Sequence, residues 1–206
     1  MIYEACAGDY NEGIKAFQRG ATRIELCENL GAGGTTPSYG SVVRLTEDTD
    51  IPVRIMIRPR GGDFVYSPKE IEIMKDDIKL IKTTGAEGVV FGVLDRSNHI
   101  DIVVTRELVE LARPLKVTFH KAIDEVGDLV QGVRVLKKIG VDSILTSGGK
   151  VTALEGAPLI NAMIKAASGE VEIIAAGRIT DENIHSVKEV ISGEAFHGKK
   201  IVGELR

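Results

Sequence analysis

Two short segments of the chain carry an acid and a thiol two residues apart. Glu4 and Cys6 lie in YEACA, and Glu25 and Cys27 lie in RIELCE, where buried strands are normally apolar. Carboxylates at such positions can move protons in a reaction. Alternatively, the acids form a buried ion network with Arg54 and Arg58 of another strand, and the cysteines fill the core.

Two arginines flank a proline in the segment IRPRGGDFVYS. Arg58 and Arg60 offer guanidinium groups that suit a carboxylate or phosphate, and the glycines before Asp63 let the backbone approach a ligand. The segment predicts an anion site formed by Arg58, Arg60 and Asp63. The alternative is that Arg60 and Asp63 pair with each other at the surface.

A histidine and a carboxylate follow one another in TFHKAID. His120 ends a predicted strand and Asp124 lies in the loop after it. A histidine near a carboxylate can act as a general acid or base, and we favour that role for His120 over a core histidine because such strand ends carry the catalytic groups of barrels.

Two loops are rich in glycine. LTSGGK contains Ser147, Gly148 and Gly149, and AAGRIT contains Gly177. Exposed backbone N–H groups there could cradle an anion, although glycines also serve ordinary turns. His197 in AFHGKK either joins the same site or lies in the tail.

The predicted strands and helices show where these residues lie in the fold. Glycine followed by a short turn and a strand recurs at residues 20, 85 and 140, and Ser67 with Glu70 predicts a capping box at the start of a helix. We predict eight strands near 2–6, 23–27, 53–58, 88–92, 116–120, 143–147, 172–176 and 195–198. Seven helices are predicted near 10–19, 38–47, 68–84, 102–113, 127–139, 157–167 and 181–191.

Strict alternation of strands and helices predicts a parallel sheet, either open or closed. Within the second strand, Ile24 and Leu26 face one way while Glu25 and Cys27 face the other. An open sheet covered by helices on both faces would be apolar on both, so we predict an α/β fold of the small TIM-type (β/α)₈ barrel kind. Few residues follow the eighth strand, which predicts that the final helix is absent.

Composition limits the class of protein. The chain has 206 residues, 43% of them hydrophobic, which predicts one domain over residues 1–206, and its net charge of −4 disfavours nucleic-acid binding. Its longest near-apolar run is too short for a membrane span, and its first residues do not form a secretory signal. We therefore expect a cytoplasmic protein whose two cysteines are reduced thiols.

Several segments together resemble the CutC copper-homeostasis family. They are IELCENLGAGGTTPSYG, IRPRGGDFVYSPKE, GVVFGVL, TFHKAID, LTSGG and AFHGKKI, in this order over essentially the whole chain. The resemblance implies a TIM-type barrel in the cytoplasm, a dimer or larger homo-oligomer, and copper handling through Cys6 and Cys27. Longer members continue past the AFHG segment.

Two functional hypotheses follow. In the first, the thiolates of Cys6 and Cys27 hold Cu(I), a soft ion that favours sulfur, and Arg58 lowers the thiol pKa. In the second, the barrel is an enzyme that binds a small phosphate- or carboxylate-bearing substrate through the arginines, while His120, Asp124 and a glutamate move protons.

The absent final helix predicts an oligomer interface. Apolar residues of the first helix and of the tail, including Ile201, Val202 and Leu205, would form an exposed patch. A twofold partner is the simplest cover, and the alternative is that the tail folds back across the gap.

Overall fold

Eight parallel strands close into a barrel. The computed structural model describes residues 1–206, and the strands pair in chain order with the last returning to the first. The strands are β1 Ile2–Ala7, β2 Arg23–Leu26, β3 Val53–Met56, β4 Gly88–Phe91, β5 Lys116–Phe119, β6 Ser143–Thr146, β7 Glu172–Ala175 and β8 Ala195–Gly198.

Helices alternate with the strands around the outside of the barrel. They are α1 Tyr10–Gln18, α2 Tyr39–Asp48, α3 Pro68–Ile81, α4 Ile102–Ala112, α5 Leu129–Ile139, α6 Ala153–Ala167 and α7 Ile184–Val190. The predicted TIM-type barrel of eight strands and seven helices is confirmed, and no helix follows β8 within these residues. None of the helices is both long and apolar enough to traverse a bilayer.

Local sequence signals explain where two of the helices begin. Ser67 and Glu70 form the predicted capping box at the start of α3. The prediction for α6 was wrong at its beginning, because Thr152 and Glu155 form a second capping box and start the helix at Ala153. Pro158 lies inside α6 without ending it.

The two faces of the sheet carry different side chains. Outward-facing residues such as Ile24, Leu26 and Phe119 join the main hydrophobic core between strands and helices. Inside the barrel, Cys6, Cys27, Met56 and Val90 form a separate apolar cluster, and Leu145, Ile174, Ala176 and Ala195 form another. The alternation of apolar and polar residues along the strands therefore separates core from interior.

Charged side chains fill the remaining interior. Arg23 forms ion pairs with Glu4 and with Glu172, the latter at 2.9 Å. Arg54 pairs with Glu87 at 2.9 Å and donates hydrogen bonds to two strand hydroxyls. A buried ion network thus does exist, but its arginines are Arg23 and Arg54.

The tail packs against α1. Ile201 and Leu205 are 4% and 3% exposed and belong to the main core. Arg206 forms an ion pair with Glu12 at 2.8 Å. The tail therefore folds back over the gap beside β8, which was the alternative to covering it with a partner.

Candidate functional site

Two thiols and a carboxylate meet at the carboxyl end of the barrel. Cys6 of β1 lies opposite Glu25 of β2 in the strand register, and Cys27 follows directly after β2. The two sulfur atoms and a Glu25 oxygen all lie within 4.8 Å of one another. The thiol of Cys27 also donates to Glu25 Oε2 over 3.6 Å. All three side chains are buried.

Closure of the barrel adds His197 to this cluster. The register between β8 and β1 places His197 opposite Glu4, and its Nδ1 lies 2.9 Å from Glu4 Oε1. Its Nε2 lies 3.7 Å from Glu25 Oε2. Of the two positions left open for His197 by the sequence, the structure shows the one at the barrel mouth.

The two interior glutamates that were predicted to move protons differ in charge. Burial opposes ionisation of Glu4, but the hydrogen bond with His197 and the charge of Arg23 lower its pKa to about 2. Burial and the nearby charges of Cys6 and Glu4 raise the pKa of Glu25 to about 8 despite the opposing effect of His197. Glu4 therefore remains an anion at neutral pH, and Glu25 is the glutamate that can exchange a proton there.

The thiols are also unequal. The neighbouring Cys27 thiol lowers the pKa of the Cys6 thiol well below its ordinary value, with a further contribution from His197. The proximity of Cys6, together with burial, raises the pKa of Cys27. Burial opposes protonation of His197, while the carboxylates of Glu25 and Glu4 raise its pKa. Cys6 is therefore the thiol that ionises more readily.

A cavity of about 170 Å³ opens next to this cluster, at the carboxyl end of the barrel. Its polar and sulfur-bearing walls include Cys6, Glu25, Cys27, Arg58, His120 and His197. Three buried atoms of these side chains, Glu25 Oε1, Arg58 Nε and His120 Nε2, have no hydrogen-bond partner within the chain. Buried polar atoms are normally paired with protein or water, so these three are open to an ordered water or to a polar ligand.

The imidazole of His120 is buried at the wall of this cavity. Burial, reinforced by the charge of Arg58, lowers its pKa to about 3, so the imidazole is neutral near pH 7. Its Nδ1 accepts from the backbone N–H of Ala122 at 3.2 Å. The neutral ring therefore carries its proton on Nε2, which makes that atom a hydrogen-bond donor beside the cavity. No hydrogen bond joins His120 to Asp124.

Arg58 is turned toward the backbone of two loops. Its terminal nitrogens donate to the carbonyl oxygens of Ala32, Gly34 and Gly62 at 3.2, 3.1 and 2.6 Å. The guanidinium also stacks on Phe64, 4.8 Å from the ring centroid. These contacts use three of the five N–H groups of the guanidinium, so the side chain is largely held by the loops, while Nε has no partner within the chain.

Arg60 and Asp63 lie outside the cavity lining. Arg60 donates to Asp63 at 3.0 Å and to Glu70 at 2.6 Å, which attaches the loop to the first turn of α3. The predicted anion-binding role of this pair does not fit the structure, because carboxylates already satisfy the guanidinium. The pairing of the two residues is the alternative that the sequence left open.

Asp124 lies in the segment after β5, and its side chain reaches the glycine-rich loop after β6. Its carboxylate accepts from the backbone N–H groups of Ser147 and Gly149, both at 3.0 Å, and from the Ser147 hydroxyl at 2.9 Å. Lys121 pairs with the same carboxylate at 2.5 Å. Gly148 donates to Thr146 Oγ1 instead. The amides predicted to cradle an anion at 147–149 are therefore already used within the chain.

Gly177, the remaining predicted anion-binding residue, lies in the loop after β7. Its φ is +111°, and a Cβ there would lie 2.8 Å from the nitrogen of Ala153 and 2.9 Å from the Cβ of Ser147. Close packing against α6 thus requires glycine at this position. The loop also lines a second cavity.

These features define a class: a TIM-type barrel with a buried cluster of thiols, carboxylates and a histidine at the carboxyl end of β1, β2 and β8. A sequence profile of the CutC family matches residues 1–202. The copper homeostasis protein cutC homolog of Homo sapiens is 44% identical over 197 residues, covering 96% of this chain and 72% of the human protein. A CutC family protein of Bacteroides fragilis is 38% identical, covering 95% and 78%. The chain belongs to the CutC copper-homeostasis family.

Solved structures agree with this assignment. A CutC protein from Streptococcus agalactiae superposes with a TM-score of 0.92 at 32% identity, over 98% of this chain and 99% of that one. The aldolase QR15 superposes with a TM-score of 0.72 at 13% identity, over 100% of this chain and 92% of that one. The second likeness concerns the fold alone.

Proposed function

We propose that the protein binds Cu(I) as its cargo through the sulfur atoms of Cys6 and Cys27. The observation that carries the proposal is the convergence of both sulfurs and Glu25 within 4.8 Å at the barrel mouth. Cu(I) is a soft ion that prefers sulfur donors, and the apolar side chains of Met56 and Val90 pack around the pair. The copper-homeostasis name of its relatives supports the same function.

The charge at the pair favours uptake of a monovalent cation. Cys6 is the thiol that ionises first, so one thiolate is available before the metal arrives. Binding by both sulfurs then releases the proton of Cys27. Cu(I) replaces the proton of Cys27, so the net charge of the buried site stays the same. The unchanged charge limits the cost of desolvation.

The test is competitive titration with Cu(I) under anaerobic, reducing conditions. We expect the tight phase to disappear in Cys6→Ser and in Cys27→Ser alike. Val90→Ala is the matched control, because it loosens the same apolar cluster without removing sulfur. Undiminished binding by the Cys6→Ser, Cys27→Ser double variant would contradict the proposal.

A second candidate function is catalysis on a small anionic molecule. It is favoured by the three unpartnered atoms beside the 170 Å³ cavity. Arg58 Nε and His120 Nε2 are donors that suit a carbonyl or carboxylate oxygen, and Glu25 is the group that transfers a proton. Depletion of a compound from a metabolite extract by the wild type, but not by Glu25→Gln, would support it. Depletion of none would contradict it.

The cellular setting is part of the proposal. We place the protein in the cytoplasm, which the two free thiols support because they remain reduced there. A homo-oligomer stays a prediction. The prediction was based on an exposed apolar patch that includes the tail, and this argument is weaker because Ile201 and Leu205 are buried within the chain itself.

A further inference from the structure

A second cavity, of about 650 Å³, lies at the carboxyl ends of β7 and β8. Four cationic side chains line it, Lys121, Arg178, Lys199 and Lys200, and no carboxylate does. This concentration of positive charge occurs in a chain whose net charge is −4. The cavity therefore has the electrostatic character of a site for an anion.

Two of these cations have no partner within the chain. Lys121 pairs with Asp124 and Lys200 pairs with Glu204. Arg178 and Lys199 form no ion pair, and their side chains make no hydrogen bond. Because neither charge is neutralised internally, both are free to bind a dianion.

The backbone of the β7 loop points to the same chemistry. The amide N–H groups of Gly177, Arg178 and Ile179 donate no hydrogen bond within the chain. Arg178 has a φ of +55°, an uncommon conformation for a residue with a side chain, and its carbonyl accepts from Asn183 at 2.8 Å. Asparagine or glycine would adopt this conformation more easily.

We propose that this cavity binds the phosphate group of a small phosphate monoester. Arg178 supplies a bidentate fork, Lys199 a second charge, and the loop amides further donors, which together suit a dianion better than a carboxylate. The loops after the seventh and eighth strands are also where barrels of this type place phosphate groups. The Arg58–Arg60 segment is not needed for this purpose.

The position of the cavity indicates the size of the ligand. Lys121, His197 and Lys199 line both cavities, so the phosphate site is continuous with the smaller one beside Glu25 and His120. A volume of about 170 Å³ accommodates an organic group of a few carbon atoms. The phosphate site does not use the two cysteines, and it rests on and deepens the second candidate function by giving its substrate a chemical class.

The experiment measures binding of inorganic phosphate and glycerol 3-phosphate by calorimetry at constant ionic strength, with glycerol as the neutral probe. We expect saturable binding of both phosphates and none of glycerol. Arg178→Gln and Lys199→Met should each weaken binding by about tenfold or more. Arg106→Gln and Lys138→Met, which change exposed cations on α4 and α5, are the matched controls and should bind as the wild type does.

Amide NMR of the wild type keeps the test independent of variant folding. Phosphate should shift the amide resonances of Gly177 and Arg178 and leave that of Gly127, in the loop before α5, unchanged. Absence of saturable binding, or equal weakening by the control variants, would overturn the proposal. The Cys6→Ser, Cys27→Ser double variant should still bind phosphate, so failure here and failure of the copper proposal are distinguishable.

Discussion

Replacing His120 by asparagine should change how the stability of the protein depends on pH. The imidazole is buried, accepts a hydrogen bond from the Ala122 amide at 3.2 Å and packs at 4.8 Å from the ring of Phe64. Asparagine retains an acceptor near Nδ1 and has no titrating group. The ring contact with Phe64 is lost at every pH. The informative quantity is therefore the change in the free energy of unfolding with pH.

The sign and size of the effect follow from proton linkage. Burial, followed by the charge of Arg58, lowers the folded-state pKa of His120 to about 3, below the unfolded value of about 6.5. Between these values the unfolded chain binds a proton that the folded chain does not, so stability falls as the pH falls. From about pH 7.5 to about pH 5, His120 alone removes about 2 kcal/mol from the free energy of unfolding.

Urea unfolding at the two pH values measures this difference. The loss of stability on acidification should be smaller by about 2 kcal/mol in His120→Asn than in the wild type. His185→Asn, which changes an exposed histidine on α7, should lose as much as the wild type. If His120→Asn loses as much as the wild type on acidification, the buried neutral imidazole is not the cause and the reasoning is refuted.

Four further predictions concern the loops, the tail and the oligomeric state. Arg58→Met should lower the free energy of unfolding by about 2 to 4 kcal/mol, since three loop carbonyls lose a charged donor, and a loss below about 1 kcal/mol would argue against this support. Gly198→Ala should cost about 1 to 3 kcal/mol in urea unfolding because a Cβ would overlap the carbonyl oxygen of Ile179, and wild-type stability would contradict that contact. A chain ending at Gly198 should lose about 3 kcal/mol or more with the burial of Ile201 and Leu205. Light scattering on the full chain tests the predicted homo-oligomer, which a monomeric mass would contradict.

The barrel could be predicted because its signal repeats in every strand. Ile24 and Leu26 alternate with Glu25 and Cys27, and this period of two shows which face meets the helices and which faces the interior. Parallel neighbours with known parity are enough to bring Cys6 close to Cys27. Both steps depend on short-range periodicity, which a single sequence displays directly.

The partners of the loop residues could not be predicted in the same way. Arg58 binds backbone carbonyls, and Asp124 binds backbone amides, so neither contact leaves a pattern in the side chains of the sequence. His197 lies 193 residues from Glu4 along the chain, and they meet because the barrel closes. A closed barrel requires β8 to pair with β1, and this pairing places His197 beside Glu4 at the mouth of the barrel.

The distribution of charge inside the barrel decides which groups can respond to a ligand. Arg23 pairs with Glu4 and with Glu172, and the pKa of Glu4 is lowered to about 2, so Glu4 stays charged near neutral pH. Glu25 is buried and has no arginine partner. Burial is the main cause of its raised pKa. A proton can therefore leave Glu25 or Cys27 when a cation or a polar ligand arrives, while the ion network below keeps its charge. Copper uptake and substrate proton transfer would both draw on this one adjustable cluster, and the free cations beside β7 and β8 would serve only the second.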